Sequence, residues 1–175
     1  TNQGRLPFEI GEVHELLHGN RQDPVIKKQV CPGSAAVTFS AAGITMNKAD
    51  MRSALTHWPV QLHLVNPASS IYSNADLLIA ADCTAFAHGD FHRKFLKGKK
   101  MVIACPKLDQ NTEIYIHKFI RLINEAMVNT ITAVIMEVPC CGGLSAIVRE
   151  AVRLSGRDDL LFEEVTVGLT GEVMQ

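Results

Sequence analysis

The residues best suited to chemistry are five cysteines, Cys31, Cys83, Cys105, Cys140 and Cys141. A thiolate is both a metal ligand and a nucleophile. Cys83 ends Ala80-Ala81-Asp82-Cys83, Cys105 follows Ile103-Ala104, and Cys140 and Cys141 follow Val138-Pro139. Each of these segments carries an apolar run that stops just before the thiol. Cys31 sits apart in Cys31-Pro32-Gly33-Ser34, a loop-like stretch that could fold over as a further ligand. Free cysteine is also often a small buried hydrophobe, but scattered core cysteines have no reason to fall at one point in successive units. Four thiolates suit a [4Fe–4S] or [2Fe–2S] cluster, or tetrahedral zinc. The dispersed spacing differs from the compact C-x₂-C pairs of zinc sites. A metal-free alternative makes Cys140 and Cys141 a thiol redox pair or nucleophile.

Other polar residues lie near these thiols in sequence. Asp82 precedes Cys83, and His88 and His92 follow it, four residues apart and on one face if that segment is helical. Asp82, His88 and His92 are therefore candidate proton donors or catalytic groups, against the plainer reading of a solvated helix face. Gly142 and Gly143 follow the cysteine pair and open a predicted helix. Free N–H groups at a helix start favour anions, and glycine lets backbone approach a bulky bound group, so both are cofactor-binding candidates. Arg93, Lys94, Lys97, Lys99 and Lys100 form a basic run that could dock an acidic electron carrier.

The elements that must position these residues emerge from residue 60 onward. Strands are expected at Val60–Val65, Leu77–Ala81, Met101–Ala104, Ile131–Val138 and Glu164–Leu169. Helices are expected at Phe86–Leu96, from a cap at Asn111 or Thr112 to about Asn129, and over Leu144–Leu154. Alternating strands and helices imply an α/β fold, with a mainly parallel sheet of roughly five strands and helices on both faces. The short crossover from Val65 to Leu77 leaves room for one antiparallel strand. Residues 1–58 read as an irregular N-terminal arm wrapping a core of residues 59–175, with short helices over Phe8–His18 and Lys48–His57 and loop over Arg21–Met46. In an open parallel sheet all C-terminal strand ends share one edge, where such folds bind ligands. Cys83, Cys105, Cys140 and Cys141 are thereby expected at a common edge.

Composition narrows the classes further. With 175 residues, 47% hydrophobic, the chain can build a sizeable core. Its 17 basic and 18 acidic residues give no bulk argument for nucleic acid or an anionic membrane. No apolar run approaches the roughly 20 residues of a membrane span. Thr1 to Ile10 shows no signal-peptide pattern, and an odd cysteine count does not suit a secreted disulfide framework, so a cytoplasmic setting is expected. No G-x-G-x-x-G, P-loop or G-x-S-x-G motif occurs.

The cysteine segments, together with Trp58-Pro59-Val60-Gln61-Leu62, Ala75 to Cys83, Cys105-Pro106-Lys107-Leu108-Asp109, Met136 to Cys141, and Phe91-His92 followed by Gly98-Lys99, resemble one family. Over about residues 31–172 the chain is similar to the C-terminal α/β region of ferredoxin-like iron–sulfur proteins of anaerobic bacteria and archaea. In that family an N-terminal ferredoxin domain with two four-iron clusters usually comes first, and its C-x₂-C-x₂-C-x₃-C motifs are absent here. The resemblance implies iron–sulfur chemistry in an anaerobic redox setting, without supplying a reaction. The expectation is an electron-transfer module whose cluster is held by Cys83, Cys105, Cys140 and Cys141, with Cys31 as additional or alternate ligand. A ferredoxin or other redox partner would serve it, and a homodimer is compatible. The rivals are a reductase with an open iron position and Asp82 or His88 as proton donor, a cluster-free thiol protein, and a structural zinc domain.

Overall fold

The structure is a computed structural model that describes residues 36–38 and 53–174. The backbone divides into two units, residues 1–30 and 31–175, and every described residue lies in the second. Most of the expected arm, its helix over Phe8–His18 included, falls outside the described residues, as does Cys31; of the arm, residues 36–38 and 53–58 are described.

Two short strands, β1 (Val37–Thr38) and β2 (His57–Trp58), form an antiparallel ribbon. The main sheet contains β3 (Asp76–Ala81), β4 (Lys100–Ala104), β5 (Thr130–Met136), β6 (Leu161–Val167) and β7 (Val173–Met174). Their order is β4-β3-β5-β6-β7, parallel except for β7, which returns antiparallel beside β6. The expected α/β architecture is thus present. Three helices accompany the sheet: α1 (Thr84–Ala87), α2 (Glu113–Asn124) and α3 (Gly142–Ser155). Among the described residues no helix is long and apolar enough to cross a membrane.

The order reverses at β3. From β3 the chain moves outward to β4, then crosses back over β3 to β5 and continues to β6. Right-handed crossovers put α2 and α3 on one face and the β3–β4 connection on the other. In keeping with this, α2 and α3 pack side by side. The inner strands are covered on both faces, so their residues need not alternate. Leu77, Leu78 and Ile79 are all fully buried, as are Ala133 and Val134 on β5. On α2 the buried residues are Tyr115, Phe119, Leu122 and Ile123, and on α3 they include Leu144, Val148 and Ala151. Both sets follow the helical repeat. Each such Leu or Ile contributes roughly 1.5–3 kcal/mol relative to exposure. α3 ends at Gly156, whose left-handed φ of 67° suits a residue without Cβ.

Several boundaries differ from expectation for local physical reasons. Val60–Val65 is not a full strand. Gln61 makes one parallel bridge to Ile103, and the chain then turns, with Leu64 and Val65 donating to Gln61 O. The Lys118 ammonium from α2 holds this turn, donating to the carbonyls of Leu62, His63 and Val65 at 2.8, 2.7 and 3.0 Å. The stretch expected to be helical over Phe86–Leu96 is broken. α1 stops at Ala87, His88 is extended, and a separate π-helical turn spans His92–Leu96. α2 ends at Asn124 rather than near Asn129, because Met127 takes a left-handed φ of 54°. Thr112 occupies its N-cap position without a side-chain cap bond. The described part of Lys48–His57 is not helical either. Residues 53–56 are irregular, and His57 enters β2. β5 stops at Met136, β6 starts at Leu161, and the short return strand β7 was not foreseen.

His57 joins β2 to the sheet. It is fully buried, its Nε2 meets Met101 O at 2.8 Å, and its Nδ1 has no partner among the described residues. Burial holds its pKa below the usual histidine value, and Lys100 adds to the effect. The folded chain therefore keeps His57 neutral where the unfolded chain begins to protonate it, below about pH 6.5. Stability falls as pH drops through that window, by at most about 1.4 kcal/mol per pH unit from this group. Denaturant unfolding between pH 7.5 and 5 is expected to show a shallower loss for His57→Gln than for the wild type; equal slopes would remove His57 as the cause. Lys118→Met is expected to cost about 2 kcal/mol by leaving three carbonyls short of a donor, read as a lower denaturation midpoint.

Candidate functional site at the strand ends

The four described sequence-predicted cysteines all lie just past the C-terminal ends of parallel strands, as expected. Cys83 follows β3 by one intervening residue and begins α1. Cys105 follows β4 directly. Cys140 and Cys141 lie in a 3-10 turn, Pro139–Cys141, that leads from β5 into α3. Since the order reverses at β3, the loops after β3 and β5 leave in opposite directions and open a crevice between them. Cys83 lies on one side of this crevice, with Cys140 and Cys141 on the other.

These thiols sense one another. Cys140 and Cys83 are exposed and Cys141 is buried. Burial pushes the Cys141 thiol pKa up, and the neighbouring Cys140 and Cys83 push it further. A hydrogen bond with the Met136 backbone acts the other way, and the Cys140 side chain is within hydrogen-bonding reach. The turn is built by Pro139 at its start and by Cys141 N–H donating to Val138 O at 3.0 Å. Gly142 and Gly143 open α3, and a Cβ at Gly142 would meet nothing within 4 Å. A Cβ at Gly143 would stand 3.7 Å from Pro106 Cβ, which places the Cys105-Pro106 loop against the first turn of α3. No steric demand of the described residues requires glycine at either position, and both leave room in front of the helix start.

Cys105 belongs to a polar cluster that sequence reasoning missed. Its N–H donates to Asp109 Oδ2 at 2.8 Å, and its carbonyl accepts from Leu108 and Asp109 N–H. The Tyr115 hydroxyl donates to the same Asp109 Oδ2 at 2.6 Å. Burial, followed by Asp109, pushes the Tyr115 pKa well above its usual value, with Asp82 and Cys105 adding to it. Asp82 is raised by burial and by Asp109, while Gln61 hydrogen-bonds its carboxyl. Its Oδ1 is buried without a partner among the described residues. The Cys105-x₃-Asp109 spacing was the available signal for this cluster; Tyr115 was legible only as part of a buried helix face.

The histidines separate. His88 Nδ1 donates to Gly171 O at 2.6 Å, and its Nε2 is buried without a partner among the described residues. Gly171 has a φ of 94°, and a Cβ there would collide with Ala87 O. This binds the β6–β7 hairpin to the loop after β3. The hairpin is also fixed to the loop after β5, since Leu169 N–H donates to Glu137 Oε1 at 2.6 Å. His92 instead accepts from Ala54 N–H at 3.2 Å, so the shared helical face for His88 and His92 does not form. The basic run lies elsewhere as well. Lys99 and Lys100 lie at the start of β4, the opposite end from Cys105, and reach Thr132 and Thr56. Arg93 pairs with Asp90. Among the described residues, no three His, Cys, Asp or Glu side chains surround one point closely enough to hold a single ion. The four ligands of a [4Fe–4S] cluster each bind a different iron and need not converge in that way, whereas the four ligands of a tetrahedral zinc must.

Fold and site together define an α/β protein with thiols on both sides of the point where its strand order reverses. The chain belongs to the Rossmann-like domain family, whose model matches residues 69–175. It is also similar to an uncharacterized protein of Archaeoglobus fulgidus, 31% identical over 101 residues, which cover 57% of this chain and 69% of that protein. No solved structure matches the chain. In this member the turn after β3 reads Asp82-Cys83-Thr84.

Exposure and burial set an order of reactivity. Iodoacetamide at pH 8 is expected to label Cys83 and Cys140 at least about tenfold faster than Cys141, whose thiolate is both shielded and disfavoured. Peptide mapping over time measures this, and equal rates at Cys140 and Cys141 would contradict the burial of Cys141.

Proposed function

We propose that the protein is an iron–sulfur redox protein that carries electrons, with a cluster held at the strand-end edge by Cys83, Cys105, Cys140 and Cys141. The observation that carries this reading is the delivery of four thiols by three strand ends to one edge, three of them around the crevice where the strand order reverses. The donor chemistry fits: thiolates are the usual ligands of such clusters. The start of α3 brings the positive end of its helix dipole to Cys141, which favours bound negative charge, while the Cys141 and Gly142 N–H groups are already held by Val138 O and Pro139 O. A bound cluster would supply one-electron chemistry. The protein's own part is to hold the thiols apart on rigid strand ends and to bury one side of the site through Cys141. The resemblance to the α/β region of ferredoxin-like iron–sulfur proteins supports the same reading, with a ferredoxin or similar carrier as partner.

A second reading is favoured by one contact. The Cys140 and Cys141 side chains are within hydrogen-bonding reach, with Cys83 close enough to affect them. Such a group could act as a cluster-free thiol redox site.

Metal analysis on protein purified without oxygen separates these. About four iron and four acid-labile sulfide per chain, with a brown absorption bleached by dithionite, are expected. Cys83→Ser and Cys105→Ser should each lower iron content severalfold. Colourless, metal-free protein with reactive thiols would replace the cluster reading with the thiol one. One zinc per chain would make the site structural.

A further inference from the structure

The cluster around Cys105 has a feature that plain loop packing does not require. One carboxylate oxygen, Asp109 Oδ2, accepts both the Cys105 backbone N–H at 2.8 Å and the Tyr115 hydroxyl at 2.6 Å. Asp109 N–H in turn donates to Cys105 O at 2.8 Å, so the loop closes on itself in both directions. Tyr115 is fully buried on α2, and the His63 ring lies against it at 4.8 Å between centroids. The hydroxyl is therefore a fixed donor rather than a mobile one, and it anchors the loop after β4 to the body of α2. A carboxylate tied to the Cys105 N–H removes that N–H from service to any group bound at the sulfur.

We infer that Asp109, anchored by the Tyr115 hydroxyl, is a positioning residue that fixes Cys105 at the strand edge and sets a negative charge beside its thiol. This rests on the reading of the edge as a thiol site, but it holds whether the thiols carry a cluster or act alone. A fixed negative charge at one end of the site opposes the arrival of further negative charge there. It therefore discriminates against anionic reagents and, in a cluster-bearing site, favours the oxidised state.

The test uses the reduced chain, stripped of any metal by a chelator, and two alkylating probes, neutral iodoacetamide and anionic iodoacetate, with labelling at each cysteine mapped by mass spectrometry. The iodoacetate-to-iodoacetamide rate ratio at one thiol cancels its exposure and its thiolate fraction, and leaves the local charge. Asp109→Asn retains an acceptor for the Cys105 N–H and loses the charge. It should raise this ratio at Cys105 by about threefold or more, the effect of one charge a few Å away in a water-like medium, with no change at Cys140. Tyr115→Phe retains the packed ring and should speed both reagents at Cys105 by releasing the loop. Circular dichroism confirms that both variants fold. An unchanged ratio in Asp109→Asn, or unchanged Cys105 rates in Tyr115→Phe, overturns the inference. Iron content is read separately. Wild-type protein without iron that shows both effects would sink the cluster reading and keep the role of Asp109. Protein that carries iron as purified, and whose iron-stripped chain shows neither effect, would do the reverse.

Discussion

The burial of β3 on both faces is the constraint from which the rest follows. Leu77 to Ala81 is almost wholly removed from water, and the strand pairs in parallel with β4 on one side and β5 on the other. A strand with neighbours on both sides and cover on both faces cannot slip in register without moving several large apolar residues out of the core. Its end is therefore a fixed point. The chain leaves that point through Asp82 and Cys83, and the reversal of strand order brings the end of β5, with Cys140 and Cys141, alongside.

Around this fixed point the edge is tied by polar contacts that are few and specific. Thr84 Oγ1 donates to Ala81 O at 2.7 Å and secures the start of α1. His88 and Glu137 grip the β6–β7 hairpin from the loops after β3 and β5. Asp109 and Tyr115 grip the loop after β4, and Lys118 holds the turn that precedes β3. All but the exposed Glu137–Leu169 bond are buried or partly buried and replace water, so losing one partner strands the other. The exposed pairs Arg121–Glu125 and Arg153–Glu150 are of a different kind. They lie along helix surfaces in water and contribute little to stability.

The electrostatics of the edge are mixed in a way that matters for any redox group. The positive end of the α3 dipole lies beside Cys141, which favours negative charge. Asp82 and Asp109 add carboxyls on the Cys105 side, which disfavours it. The two ends of the thiol row are thus unlike, and the buried, unpartnered Oδ1 of Asp82 marks the polar end. A charge introduced anywhere on this edge is felt unequally by its thiols.

The sequence by itself determined the fold class, the strands β3, β4 and β5 to within a few residues, the helix α3, and the placement of Cys83, Cys105, Cys140 and Cys141 just past the ends of parallel strands. Those features are written in local pattern: apolar runs of strand length, helical spacing of apolar residues, and thiols placed just after the runs. Tertiary structure decided what local pattern does not encode. The apolar spacing of Val60–Val65 suits a strand, but only one bridge forms: the partner strand β4 ends one residue past Ile103, and Lys118 from a distant helix holds the carbonyls of the turn that follows. The continuous helical pattern of Phe86–Leu96 is broken where His88 turns to reach Gly171, 83 residues away in sequence. Tyr115 reads as core from its spacing, and its hydroxyl acquires a role only once Asp109 is brought beneath it. Side-chain partners far apart in sequence leave no periodic trace, so the site's supporting contacts became visible only in the folded chain.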